Sequence, residues 1–428
     1  MELTQTARET VWRAERSLEA PFRRVDAIET AVQQRVLEAF WAERVSARHF
    51  APTNGYGYDD DGRDTLDRVF ARAMQCESAL VRPQFVNGTH AIFIAIAGLV
   101  EPGDEILFLT GSPYDTLRTA FGLEGDAPNS LKRLGVSFRI CELTESGMPD
   151  EERIRRNVTP RTRIAYAQRS RGYAWRNAFL PEELERAFLA ARSVKSDVIC
   201  FTDNCYGEFT CVDEPSVHGA DVLAGSLIKN PGGGLAPTGG YAAGRNDLIA
   251  RIAQRLTVPG MGGEVGSYAS GYRLYYQGLF LAPHVTVQCV KGAILFARVF
   301  ELLGMPTSPE SGAVRSDIIQ AAQFTTAEQM IAFCGAIQHA APVDSYVTPE
   351  PWEMPGYADK VVMAAGAFVQ GATTELSADG PIRPPYTVYL QGALTYPHAR
   401  ISAMMAVDAL RQTKNGSSAN TEKPSNNG

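Results

Sequence analysis

Lys229 stands in AGSLIKNPGGGLAPTGGYAAG, residues 224–244, after an apolar run and before a glycine-rich turn. Six glycines fall in the thirteen residues from Gly232 to Gly244, so the backbone there can approach another group closely. A lysine at the edge of a sheet, partly desolvated, can have a lowered pKa and form a Schiff base with a carbonyl. The bland alternative is a solvated lysine beside a loop. Twenty-six residues earlier, Asp203 ends the apolar run of VICFTDNCYGEF, residues 198–209. A carboxylate there can cap a helix, bind a metal or pair with a cationic heterocycle. A metal wants further ligands, and only Glu208 and Asp213 offer themselves. His218 has no ligand-like spacing to either, so no metal site is expected. A pyridinium needs one carboxylate and no more. A third stretch, VNGTHAIFIAI at 86–96, sets small and hydroxyl residues between a strand and an apolar helix. Such a helix start offers N–H groups and a positive dipole end to an anion. Tyr114 in TGSPYDTL is either a packing aromatic or the cover of a ring.

These groups need elements to hold them. From Leu80 onward, β-rich runs (79–86, 105–110, 136–141, 163–168, 197–202, 221–226 and 240–243) alternate with helical stretches (90–100, 114–121, 150–157 and 181–193). Seven strands in that alternation predict an α/β sandwich around a largely parallel sheet, whose strand ends are where such folds bind ligands. The first fifty residues read as two helices divided at Pro21. APTNGYGYDDDGRDTL, residues 51–66, reads as an irregular loop, with Asp64 a candidate cap for a helix to Ala73. Residues 267–303 read as a buried helix leading into a second, smaller α+β domain. That domain is expected to hold strands at 314–319, 369–376 and 385–390 and helices at 327–340 and 397–411. The expected organisation is an N-terminal arm with an intersubunit loop (1–66), a large domain (67–300), a small domain (301–413) and a disordered tail (414–428).

Composition bounds the function. The 428 residues are 45% hydrophobic and 21% charged, which is ordinary globular chemistry. A net charge of −7 gives no general attraction for nucleic acid. The apolar run at 91–100 is too short to span a bilayer, and the N-terminus shows no apolar signal core. Seven scattered cysteines without a CxxC pair suggest neither a disulfide framework nor a zinc knuckle, so a reducing cytoplasm is the expected compartment.

An anion at a helix start, an aromatic over a ring, an aspartate on a ring nitrogen and a lysine for an aldehyde together describe one cofactor, pyridoxal 5'-phosphate. The sequence resembles the methionine γ-lyase / cystathionine β-lyase related family, the "aluminium resistance protein" branch of the Cys/Met-metabolism pyridoxal phosphate enzymes. GYGYDDDGRDTL, QFVNGTHAI, QRSRGYAWR, DNCYGEF, AGSLIKNPGGGLAPTGGY, PGMGGEVG, QGLFLAPH, ELSADGPIRPPY and QGALTYPHA carry the resemblance over nearly the whole chain. It implies the fold-type I architecture: a large seven-stranded mixed-sheet α/β/α domain with a smaller C-terminal α+β domain.

It also implies roles. Lys229 matches the Schiff-base lysine and proton shuttle, and Asp203 the partner of the pyridine nitrogen. Tyr206 matches a tyrosine at the ring hydroxyl. Gly88 and Thr89 match the phosphate-binding turn, and Ser226 a phosphate-contacting serine. Tyr114 matches the ring-stacking tyrosine that can protonate a leaving group. Tyr56, Tyr58 and Arg63 resemble an arm that enters the neighbouring subunit's site, and Arg383 matches the arginine for the substrate carboxylate. The main branch's serine–x–threonine–lysine pattern is absent, because position 228 is isoleucine. Thr238 is the candidate for the missing phosphate hydroxyl. Arg169, Arg171 and Arg176 replace a proline-rich strand end and add cations for substrate or cofactor. Cys205 reads as a small buried thiol or a cofactor neighbour, and His90 as a ring neighbour or a residue packed on its own turn.

The implied activity is γ- or β-elimination on an amino acid, foremost carbon–sulfur cleavage of methionine, homocysteine or cystathionine. Elimination of a halide or oxygen ester, γ-substitution, and cofactor binding without turnover are the alternatives. The implied assembly is a homodimer or a dimer of dimers.

Overall fold

The computed structural model describes residues 3–353 and 359–419. Helices α1 (Gln5–Glu15), α2 (Glu19–Ala42) and α3 (Asp61–Ala73) lead into strand β1 (Ser78–Arg82). Then follow α4 (Gly88–Ala97), β2 (Glu105–Phe108), α5 (Asp115–Phe121), β3 (Ser137–Ile140), α6 (Glu151–Asn157), β4 (Thr162–Gln168) and α7 (Pro181–Arg192). Strands β5 (Ile199–Asp203), β6 (Val222–Ser226) and β7 (Gly240–Gly244) complete the sheet before α8 (Asn246–Leu256) and α9 (Arg273–Leu302). The order across the seven-stranded sheet is β1-β7-β6-β5-β4-β2-β3. Strands β1, β6, β5, β4, β2 and β3 run in one direction, and β7 alone is antiparallel, between β1 at the edge and β6.

Side chains alternate between two apolar layers, as a two-residue strand period requires. Ala165, Ala167, Cys200 and Leu223 face α3, α7 and the first half of α9. Ile164, Tyr166, Ile199, Phe201, Val222 and Ala224 face α4, α5 and α8. A sheet covered on both faces explains why its strands read as apolar runs. Asp203 and Ser226 fall in period with Phe201 and Ala224, so both belong to the α4 face at the carboxyl end of the sheet.

The chain divides into two compact units, one of Asp26–Val287 with Arg315–Asp317, the other of the remaining chain. The second holds β8 (Thr307–Ser308), β9 (Ile319–Gln323), α10 (Ala327–Ala340), β10 (Val361–Ala364), β11 (Ser377–Pro381), β12 (Thr387–Gln391) and α11 (Tyr396–Ala419). Its five-stranded sheet has the order β10-β11-β12-β9-β8.

These divisions differ from those expected at residues 66 and 300. Helix α1 joins the second unit because Glu15 accepts from Tyr396 and Arg400, and Thr4 bonds Asp408. Helix α9 changes unit between Val287 and Gln288, because Cys289 and Gln288 bond Thr374, Ala393 and Tyr396. It is long and apolar enough to cross a membrane, but 72% of its apolar window is buried inside the protein.

Local corrections have local causes. The first two helices break at residues 16–18, and Pro21 lies in the first turn of α2, where its missing N–H costs nothing. Helix α3 starts earlier than expected because Asp60, not Asp64, caps it through Arg63 N. The expected strand at 369–376 is absent, and residues 361–364 and 377–381 form β10 and β11 instead. The expected disordered tail begins as helix, since α11 runs to Ala419; residues 420–428 lie outside the described residues.

Candidate active site

Asp203 is the last residue of β5 and is buried. Its Oδ2 accepts from the Tyr166 hydroxyl at 3.1 Å and its Oδ1 from Cys205 N at 3.1 Å. Burial raises its pKa, against the pull of Lys229 and of these donors. A cation beyond the carboxylate would relieve that burial.

Lys229 lies three residues past β6, partly exposed, with Nζ 3.7 Å from the centre of the Tyr206 ring. The turn that presents it is tied down from behind. Asn230 Nδ2 donates to the carbonyls of Tyr206 and Glu208, each at 2.9 Å. Tyr206 has φ +71, a left-handed conformation costly for an aromatic residue and held by this pair of bonds. The expectation of a lowered lysine pKa is overturned. Burial works downward, but Cys205, Tyr206, Asp203 and Glu208 together push the Lys229 amine above its ordinary value.

The anion cradle is visible as tight packing. Gly88 opens α4, and a Cβ there would stand 3.0 Å from Ser226 Cβ and 3.5 Å from Cys205 Sγ. Ser226 is 1% exposed and its Oγ is buried without a hydrogen-bond partner. An orphaned hydroxyl costs about 1–3 kcal/mol, and a phosphate oxygen would satisfy it. The ten-residue α4 contributes its N-terminal N–H groups, of which His90 N is already bonded to Asn87 Oδ1. Thr89 Oγ1 lies 3.0 Å from Thr116 Oγ1.

Other expected residues are dispersed. The Tyr114 ring packs 6.0 Å from that of Tyr173, and Gly172 (φ +55) leaves room for the Tyr114 ring. Tyr56 and Tyr58 are exposed and stacked, with ring centres 5.4 Å apart. Arg63 turns inward instead, 1% exposed, with Nη1 on Gly57 O, Nε on Asp64 and Nη2 without a partner. Thr238 accepts from Tyr275 through its carbonyl. Arg171 is buried, bonded to Ala174 O and to Asp317 through its backbone. Arg169 is fully buried on Glu214, Asn204 and Ser316, which commits it to the fold. Arg176 is spent on the Ser170 and Asn177 carbonyls. His90 Nδ1 accepts from Val86 N, so this ring packs on its own turn. Arg383 belongs to the other unit, where it pairs with Asp359 at 2.9 Å.

Two supports were not read from the sequence as parts of a cofactor site. Tyr166 is the one aromatic of β4, set between two alanines in TRIAYAQ, a detectable signal. Glu208 is fully buried, its Oε1 taking the Tyr241 hydroxyl at 2.9 Å and its Oε2 unpartnered. Burial pushes its carboxyl up to about 8. No spacing announces that pair, because Tyr241 arrives through strand pairing opposite Gly225.

The residues fit pyridoxal phosphate: a cradle with an orphaned hydroxyl, a buried carboxylate and a lysine, all at one end of one sheet. Fold and site define a fold-type I pyridoxal phosphate-dependent enzyme. The chain belongs to the methionine gamma-lyase family, which matches residues 7–411. It is 46% identical over 406 residues to the uncharacterized protein YnbB of Bacillus subtilis, covering 95% of this chain and 96% of that protein. The carbon-sulfur lyase involved in aluminum resistance from Clostridium novyi superposes with a TM-score of 0.92 at 46% identity, covering 95% of this chain and 96% of that one. The pyridoxal-5'-phosphate dependent protein YhfS from Escherichia coli shares the fold, with a TM-score of 0.60 at 16% identity, over 92% of this chain and 97% of that one. The cofactor of this chain is accordingly pyridoxal 5'-phosphate.

Proposed function

We propose that this protein is a carbon–sulfur lyase that removes a sulfur group from Cγ or Cβ of methionine, homocysteine or cystathionine. The observation that carries the reading is the convergence of Lys229, Asp203 and the Ser226–Gly88 cradle at one strand end, in a chain of this family. When bound, the cofactor supplies an electron sink that makes the substrate's Cα proton removable. Lys229 holds the aldehyde, then takes the proton from Cα and returns it. Asp203, oriented by Tyr166, keeps a proton on the ring nitrogen. Gly88, Thr89 and Ser226 hold the phosphate, with Thr238 as a further hydroxyl. Tyr206 flanks the lysine. Tyr114 covers the ring and gives a proton to the departing sulfur. Arg383 and Arg171 are the candidate cations for the substrate carboxylate. Tyr56 and Tyr58 complete the site of a second copy, with Arg63 holding their loop from within through Gly57 O, so the working unit is a homodimer or a dimer of dimers in a reducing cytoplasm.

The test is a panel of γ- and β-substituted amino acids, with keto acid and free thiol measured together. Thiol and keto acid in equal amounts from one of the three sulfur amino acids is the expected result. Keto acid only from halide- or ester-bearing substrates would refute carbon–sulfur cleavage, and a product that keeps its amino group after thiol addition would make the enzyme a transferase.

A further inference from the structure

Tyr206 occupies a backbone position suited to glycine. The turn after β5 closes with Gly207 N donating to Asn204 O at 3.0 Å, and Tyr206 is its third residue, with φ +71. Turns give that place to glycine or asparagine, because a larger side chain crowds the backbone there. The strain is held by the neighbour of Lys229. Asn230 is fully buried, and its Nδ2 donates both to Tyr206 O and to Glu208 O. Reversing that amide would set Oδ1 against two carbonyl oxygens, so its orientation is fixed. Asn230 thus clamps the turn that carries the ring to the turn that carries the lysine. A costly conformation kept by a buried clamp points to a use for the side chain it presents. What the clamp achieves is contact: Lys229 Nζ stands 3.7 Å from the centre of the Tyr206 ring.

An ammonium over the centre of an aromatic face is attracted by the ring's quadrupole, most where water is partly excluded. The other titratable groups facing the amine are Asp203 and Cys205 at the end of β5 and Glu208 in the loop beyond, and none of them repels a cation. We propose that the face of Tyr206 is the seat of the Lys229 ammonium whenever the amine is free of the cofactor, and that Asn230 is the positioning residue that holds the seat in place. The seat gives the proton shuttle a resting place. Nζ takes the Cα proton on its own lone pair, becomes an ammonium and stays on the ring. The same proton then returns to carbon and the lone pair to Nζ, so no proton is gained or lost. An amine without the seat would pass that proton to solvent more readily. The face of the ring carries this role, not its hydroxyl. The use of the seat in turnover rests on the shuttle assigned to Lys229 above, whereas the seat itself is a property of the chain alone.

The experiment reads the amine in apoprotein, without turnover. Protein labelled with carbon-13 at lysine Cε is titrated by NMR from about pH 7 to about pH 11, a range that spans the ordinary lysine value. The Lys229 signal is assigned by its loss in Lys229→Arg. In the wild type, the Cε protons of Lys229 should be displaced upfield by the ring current of Tyr206, and Tyr206→Phe should keep that displacement. Tyr206→Gly, whose backbone suits a positive φ, should lose it. Its Lys229 should also release the proton about half to one pH step earlier, a roughly three- to tenfold larger share of free amine, the weight of one cation–π contact. Asn230→Ala should weaken the displacement. A wild-type signal with no ring-current displacement, or the same titration in wild type, Tyr206→Phe and Tyr206→Gly, would overturn the seat. An undiminished displacement in Asn230→Ala would overturn the clamp. If Tyr206→Gly does not fold, Tyr206→Leu is read in its place, and if neither folds the wild-type displacement decides. A seat found on Lys229 with the cofactor held by another lysine would overturn the use in turnover and the reading it rests on, and leave the seat standing.

Discussion

Glu208→Gln should stabilise the protein, and only above mildly acidic pH. Glu208 is fully buried, bonded to Tyr241 on one oxygen and to nothing on the other, and burial pushes it from 4.5 up to about 8. A carboxyl raised in the native state favours the fold most at low pH. Its contribution is complete below about 4.5, where the unfolded chain also binds the proton, and declines as pH rises towards the folded value. Between those limits the native state must keep a proton that the unfolded chain releases. At about 1.4 kcal/mol per pH step, the penalty reaches on the order of 5 kcal/mol by pH 8. Glutamine has the same shape, can still accept from Tyr241 and carries no such penalty. Thermal unfolding of both proteins, with cofactor saturating, should therefore nearly coincide at pH 5. At pH 8.5 the variant should melt higher by on the order of 5 °C, given the unfolding entropy of a chain this long. Parallel curves across this range would show that Glu208 is ionised at neutral pH and would refute the reasoning.

Asp203→Asn should keep the fold and the visible cofactor band while slowing Cα proton removal. Loss of a buried charge pair of this kind costs on the order of 3–5 kcal/mol, roughly a hundredfold to several-thousandfold in rate. Asp213→Asn, at a carboxylate that accepts from Gln75 Nε2 at 3.1 Å, is the control, and equal losses would place the wrong carboxylate at the ring. Tyr166→Phe should lower the rate by a smaller factor, about three- to tenfold, because one hydrogen bond that orients Asp203 is lost while its charge stays. No change in proton-exchange rate at Cα would remove Tyr166 from the site. Mixing Tyr56→Phe/Tyr58→Phe protein with Lys229→Ala protein should restore partial activity through hybrid sites, and a fully active monomer in light scattering would contradict the shared site.

The large sheet was legible because its central strands are buried on both faces and appear as short apolar runs between turn signals, whereas the edge strand β3, SFRI, is half-exposed. The small sheet was less so. Strand β11, reading SADGP, carries too little apolar pattern to be distinguished from loop, and β10, VVMA, is apolar but only four residues long. Lys229 and Asp203 showed themselves by type and position at strand ends. What sequence could not show is where polar bonds are spent. Arg169 and Arg176 look like substrate cations until Glu214 and the Ser170 carbonyl are seen to hold them. Arg63 looks like an outward arm until its own loop buries it. Glu208 matters through an oxygen left unpartnered, which only packing reveals.

The claim on which the rest depends is that Lys229 carries the cofactor. Borohydride reduction of the loaded protein, followed by proteolysis and mass spectrometry, fixes the cofactor on whichever lysine holds it. The account predicts a phosphopyridoxyl adduct on the peptide containing Lys229 and its absence from that peptide when reduction is omitted. An adduct on another lysine, such as Lys195 or Lys360, with the Lys229 peptide unmodified, would contradict it.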